Sequence, residues 1–358
     1  MKKKPNYKLR RIIARIIIAL IIIIPILLIN RVKIARIPMY FTYSDYKDTM
    51  KCFFEINYSN KETKKIMDKL IKKKLIEYIK NDYIIELSSR GYSKRTINYL
   101  ITHLTTTEIK TLLNQKYDKD LEEYIGLDMF DYDKLDRYKK FKKEHNNFTK
   151  QRTIYMIELN NDLNDYYETR EEKEPDSVTA LVNKHSYVSA SYEPSDLVEM
   201  EDEYSNNYYG PNRLRSEAYE NFKDLVDAAK KNGYTLMADT GYRSYDRQEQ
   251  VFNGYASEHT DEEIAKFAAR AGFSEHELGT AIDVSNGFLI EESDPEYKWL
   301  ESNAYKYGYI LRYKSKFEDV TKYASEPWHI RYVGKEAAEV IWKKNITFDE
   351  YWLLYVRK

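Results

Sequence analysis

A single cysteine, Cys52, stands in 358 residues. No intramolecular disulfide can form, and a cysteine-ligated zinc site is excluded, which leaves His, Asp and Glu as candidate metal ligands. Charge of one sign is missing too. The 58 Lys and Arg balance 58 Asp and Glu, so no net field argues for nucleic acid as a partner. Glycine is scarce at 11 residues and histidine at six, whereas tyrosine reaches 35. With so few histidines, each can be weighed by itself. A chain of this length suffices for two modest domains, or for one domain with accessory segments.

The strongest compositional event is N-terminal. An unbroken apolar run extends from Ile16 to Ile29 and reaches back to Ile12 if Arg15 snorkels. Eighteen such residues in a helix measure about 27 Å, close to one hydrocarbon thickness. Lys2, Lys3, Lys4, Lys8, Arg10, Arg11 and Arg15 outnumber the Arg31, Lys33 and Arg36 that follow, a bias that keeps the N-terminus cytoplasmic. No small-x-small cleavage site follows the run. The expected organisation is a cytoplasmic basic tail over 1–11, a single-pass signal anchor in the cell membrane over 12–30, and an extracytoplasmic remainder.

From 31 to 175 the chain is rich in Lys, Tyr and Glu with helical spacing, which predicts a helical stalk. Ile66, Leu70, Ile71, Leu75 and Ile79 form one stripe. The segment SKRTINYLITHLTTTEIKTLL reads as two short helices capped by Ser93 and Thr106. It lacks the basic recognition face of a DNA-binding helix-turn-helix. His103 and His145 have no partners in the sequence around them. The acidic stretch ETREEKEPDS over 168–177 marks a boundary, and the pattern over 176–358 becomes mixed α and β. TALVNK, YTLMADT, YILRY and WHIRYV are expected strands. RSEAYENFKDLVDAAKKNGY is an amphipathic helix closed by Gly233. Capping boxes at Thr260/Glu263 and Ser293/Glu296 predict helices ending at Gly272 and Gly308, and a last helix begins near Lys335. Strands this short, broken by helices and irregular loops, predict an α+β fold with a small antiparallel sheet flanked by helices.

The stretch SEHELGTAID places His276 and Asp283 seven positions apart with Gly279 between them. On one strand that spacing would put the two on opposite faces. The glycine lets the histidine stay on a loop while TAID enters a strand and brings the carboxylate back. Taken alone, the pair reads as well as an exposed histidine and a turn aspartate. SEPWHIRYV adds Glu326 three residues before His329 at the start of a strand. A catalytic zinc needs three protein ligands, an open position and a nearby carboxylate. His276, Asp283 and His329 meet the first need and Glu326 the last, with Trp328 as a wall. DTGYRSYDRQEQVF ends a strand at Arg243, placed to clamp a carboxylate, steady an oxyanion or simply form a salt bridge.

Together, G-Y-R-S…Q, S-x-H-x-x-G-x-A-x-D and E-P-W-H-x-R-Y-V resemble the motifs of VanY-type zinc D-alanyl-D-alanine carboxypeptidases. That family is related to other peptidoglycan D,D-peptidases and, in fold, to the hedgehog signalling domain. The likeness covers roughly residues 176 to 350 and implies hydrolysis of the terminal D-Ala-D-Ala bond of peptidoglycan stem peptides with Zn2+ as cofactor. It assigns His276, Asp283 and His329 to the metal and Glu326 to general acid–base work. Arg243 would bind the scissile carbonyl or the terminal carboxylate, and Ser274 and Gln248 would line the pocket. Asp239, Tyr242, Arg331, His185 and His259 read as structural or bystander residues. An L,D-carboxypeptidase, a D,D-endopeptidase, or a non-catalytic wall-binding module clipped by zinc would fit the same motifs.

Overall fold

Strand alternation explains the centre of the molecule. Ile282 and Val284 point to one face of a strand and Asp283 to the other, because successive side chains alternate. Ile282, Val284 and, on the neighbouring strand, Ile330 are fully buried in one apolar cluster with Phe222 and Leu225. Fully burying a side chain of this kind is worth roughly 1.5–3 kcal/mol. That gain locks the register, and a slip by one residue would turn Asp283 into the apolar layer.

The structure is a computed structural model that describes residues 47–72, 81–207 and 210–357. The expected basic tail and signal anchor, and Leu75 and Ile79 of the expected stripe, lie outside the described residues. Among the described residues no helix is long and apolar enough to cross a membrane. The chain divides into two compact units, Met1–Phe130 and Asp131–Lys358.

The described part of the first unit is helical: α1 (Lys47–Glu55), α2 (Asn60–Lys72), α3 (Asn81–Ser89), α4 (Lys94–His103), α5 (Thr106–Leu113) and α6 (Lys119–Tyr124). Met50, Phe53, Ile66, Leu70, Leu87 and Leu100 are buried, and Cys52 is buried with them. Ser93 caps α4 by accepting from the Thr96 amide. The expected cap Thr106 gives way to Thr105, which with Glu108 forms a reciprocal box that Thr106 has no glutamate to complete. Aromatic residues just ahead of caps tie the turns together. The Tyr58 hydroxyl donates to the Lys94 carbonyl at 2.6 Å, and the Tyr92 hydroxyl accepts the Asp118 amide at 3.1 Å. His103 stacks on Tyr99.

The second unit opens with α7 (Leu135–Glu144) and α8 (Lys150–Glu158), so this unit begins well before residue 176. His145 stacks on Phe141 of α7. Strand β1 (Arg170–Glu171) pairs in parallel with β2 (Ser186–Tyr187), and β3 (Leu197–Glu199) pairs antiparallel with β4 (Arg213–Arg215). Helix α9 (Ser216–Lys231) follows, with Gly233 at φ 84° just past its end. The central sheet contains β5 (Met237–Thr240), β6 (Ala281–Ser285), β7 (Tyr309–Tyr313) and β8 (Glu326–Tyr332), in the order β5-β6-β8-β7 with every pairing antiparallel. Around it lie α10 (Tyr245–Gly254), α11 (Asp261–Ile264), α12 (Pro295–Asn303), α13 (Glu318–Thr321), α14 (Lys335–Lys344) and α15 (Phe348–Tyr351).

Three local expectations are corrected. TALVNK is not a strand: Ala180, Leu181 and Val182 are buried in an irregular segment, and the Val178 and Ala180 carbonyls accept from Arg331 rather than from a ladder. The helix capped by Thr260 stops at Ile264 instead of Gly272, since the Lys266 and Ala269 carbonyls are taken by the Ala324 amide and Gln248. Asp294, not Ser293, precedes α12, because Pro295 occupies the first helical position, where its missing N–H is harmless.

Candidate metal centre

Register brings the chemistry together. Asp283 of β6 sits directly opposite His329 of β8. Glu326 is three residues from His329, a spacing that strict alternation would split between faces. An irregularity intervenes: Leu311 pairs with Ile330 but Tyr313 with Glu326, so two steps on β7 face four on β8. The extra residues turn Glu326 back, and its Oε2 lies 3.7 Å from His329 Nδ1. His276 arrives from a 3-10 turn, Glu275–Leu278, capped by Ser274 and closed by Gly279 in the left-handed region at φ 63°. A Cβ at Gly279 would meet Leu197 at 2.8 Å, so both conformation and space call for glycine there.

His276, Asp283 and His329 each offer one ligand atom, and the three atoms lie within 4.8 Å of one another, all on buried residues. His276 Nδ1 lies 2.7 Å from the Gly241 carbonyl, to which it donates, leaving the Nε2 lone pair toward Asp283 Oδ1 at 3.4 Å. His329 Nδ1 is 3.2 Å from the same oxygen, while its Nε2 faces Glu275 at 3.3 Å. Burial, and then Arg243, push the His276 pKa down to about 4, so its inner nitrogen faces a carboxylate oxygen with no proton between them. Two acceptors in that position fit a cation. The outer nitrogens already hold partners, the Gly241 carbonyl and Glu275, of the kind that orient metal-ligating imidazoles.

The surrounding charges are arranged accordingly. Burial opposes ionisation of Asp283, but the two imidazoles and Arg243 outweigh it and hold the carboxyl well below its usual range. Burial likewise works against Glu275 and is overcome by Arg312 and Arg331. For His329, burial is outweighed by hydrogen bonds to Asp283 and Glu275, which raise its pKa to about 9; a bound cation would displace that proton. Glu326 is raised to about 7, chiefly by burial, with His329 opposing and Asp283 adding.

One cavity of about 390 Å³ is lined by all eight residues singled out in the sequence: Arg243, Gln248, Ser274, His276, Asp283, Glu326, Trp328 and His329. Three do something more specific than expected. Arg243 donates from Nη2 to Asp283 Oδ2 at 2.7 Å and from Nη1 to Gln248 at 3.4 Å. Ser274 accepts the His276 amide and completes a capping box with Glu277. Gln248 donates to the Ala269 carbonyl at 2.8 Å. His185 and His259 stand outside this cavity, whose lining also includes Asp239.

Sequence reasoning missed Glu275 and the Gly241 carbonyl. Glu275 accepts from Arg312 at 2.7 Å, and Arg312 reaches on to Asp349 at 2.7 Å. Its one available signal was an acidic residue adjoining a candidate ligand. Gly241 offers none beyond its type, yet a Cβ there would run into the Arg213 carbonyl.

The chain is similar in sequence to known proteins. Residues 211–335 match the family model described as VanY: D-alanyl-D-alanine carboxypeptidase. The putative carboxypeptidase YodJ of Bacillus subtilis (strain 168) is 46% identical over 184 residues, which are 49% of this chain and 67% of the relative. The bifunctional D-Ala-D-Ala dipeptidase and D-Ala-D-Ala carboxypeptidase VanXYC of Enterococcus gallinarum is 30% identical over 181 residues, 48% of this chain and 91% of its own. A solved structure of the LdcB LD-carboxypeptidase is similar at 43% identity and a TM-score of 0.49, covering 52% of this chain and 91% of that one. The chain belongs to the VanY family of D-alanyl-D-alanine carboxypeptidases.

Proposed function

We propose that the chain is a zinc-dependent carboxypeptidase that hydrolyses the terminal D-Ala-D-Ala bond of peptidoglycan stem peptides. The observation that carries the reading is the convergence of His276, Asp283 and His329, one ligand atom from each within 4.8 Å of the others, beside a buried Glu326. A zinc ion held there would supply Lewis acidity and bring the pKa of water toward about 7. Glu326, with its own pKa near 7, is matched to take a proton from the attacking water and return it to the leaving amine. Arg243 keeps one edge on Asp283 and lines the cavity with the rest of its guanidinium, where it would stabilise charge developing on the scissile carbonyl or bind the terminal carboxylate. Gln248, Ser274 and Trp328 complete the wall against which the peptide lies.

The apolar run over 12–30 supports a membrane anchor that would present this site to wall peptides outside the cell. D-alanine release by the full chain from a synthetic pentapeptide, with and without chelator, tests the proposal, with Glu326→Ala as control. Chelator-sensitive release from the pentapeptide is expected. Release from the tetrapeptide alone would turn the assignment to an L,D-carboxypeptidase, and metal binding without release to a wall-binding module.

A further inference from the structure

A second cavity, of about 220 Å³, lies within the Asp131–Lys358 unit away from the metal centre, and no step proposed above uses it. That volume far exceeds the ~10–15 Å³ a single water needs, and a small organic ion fits it. Three cationic side chains line it, Lys134, Arg170 and Arg357, against one carboxylate, Glu158. Glu158 is shared: Lys134 reaches its Oε1 at 2.6 Å and Arg357 its Oε2 at 3.1 Å. Among the described residues Arg170 has no carboxylate partner. Its guanidinium lies 4.0 Å from the centre of the Trp352 ring, and its pKa is depressed by burial and, against the pull of Glu172, by Arg357. Within the lining, three cations against one carboxylate leave a net two positive charges.

The neutral end of the cavity is as specific. His185 is buried to 5% exposure and lines the same space. Its Nδ1 lies 2.9 Å from the Tyr167 carbonyl, to which it donates, and its Nε2 has no protein partner. Burial lowers the pKa of this imidazole, so Nε2 presents a lone pair and asks for a donor. The pairing of β1 with β2 fixes the two features side by side, since the Arg170 amide donates to the His185 carbonyl at 3.0 Å.

We propose that this cavity binds a small phosphate monoester with a hydroxyl on a neighbouring carbon, the phosphate between Arg170 and Arg357 and the hydroxyl donating to His185 Nε2. A monoester carries close to two negative charges at neutral pH and three strong acceptor oxygens, complementing the net charge of the lining. Arginine forks suit that geometry. The site is independent of the metal centre and of the activity proposed for it.

Calorimetric titration of the full chain with glycerol 1-phosphate, inorganic phosphate and glycerol tests it. Glycerol 1-phosphate should bind saturably and at least tenfold more tightly than inorganic phosphate, with glycerol showing no binding. Arg170→Gln, which breaks no salt bridge among the described residues, should keep the thermal midpoint within a few degrees and weaken glycerol 1-phosphate at least tenfold. His185→Leu should bring glycerol 1-phosphate down to the affinity of inorganic phosphate. Absence of saturable binding, equal affinity for the two phosphates in the wild-type chain, or an unchanged affinity in Arg170→Gln would each overturn the proposal.

Discussion

The two units bury different things. Among the described residues of the first, the buried polar side chains are all threonines: Thr49, Thr63, Thr96 and Thr102. The second buries Glu275, His276, Asp283, Arg312, His329, Arg331, Asp349 and Glu350. A threonine can satisfy itself on a nearby carbonyl, as Thr102 does on Asn98 at 2.7 Å. A charge taken out of water costs several kcal/mol unless it is paired and hydrogen-bonded. One unit is therefore organised by apolar packing and caps. The other keeps buried charges that must be paired to offset the cost of taking them out of water.

The largest effect that would test this contrast is catalytic. Glu326→Gln should lower D-alanine release by about 10²–10⁴-fold while leaving the metal content unchanged. Metal analysis and single-turnover release together check it. Arg312→Met, which leaves Glu275 and Asp349 without their shared cation, should destabilise the second unit by about 3–5 kcal/mol in denaturant titration. Arg243→Ala should reduce turnover about 10²–10³-fold, the usual loss for one donor to developing negative charge. It also frees Asp283 Oδ2, so a fall in zinc affinity on equilibrium dialysis should accompany the loss. In the first unit the largest simple effect should be Ser93→Ala, near 1 kcal/mol for a lost cap, read as a small drop in helix stability by circular dichroism. An equally large response to Ser93→Ala and Arg312→Met would erase the contrast.

The smallest expected effect concerns pH. His185 has a folded pKa below its unfolded value of about 6.5. The unfolded chain then binds the proton more readily, so the contribution of His185 is present above that value and lost as pH falls through it toward the folded pKa. Thermal midpoints at pH 8 and pH 5 should differ less in His185→Gln than in the wild type.

The candidate metal ligands were legible because their chemistry restricts residue type and because glycine at 279 resolves the awkward seven-residue spacing. The sheet was legible through the short strands around them. What supports the ligands was not. Glu275 and the Gly241 carbonyl act through register and loop approach, which no spacing in the chain encodes. The same holds for Arg243: the sequence placed it at a strand end, but only the packed structure shows it holding Asp283. Local propensity also misled where tertiary partners claimed backbone groups, as Gln248 does at Ala269 and Arg331 does at Val178 and Ala180.

The path from Asp349 through Arg312 and Glu275 to the His329 ring has a practical meaning for anyone altering the C-terminal helices. A carboxylate on the short helix α15 helps set how firmly the His329 imidazole is held beside the candidate metal centre. Altering that helix is thus an intervention at the candidate metal centre, made on the face of the sheet that carries Asp283 and His329.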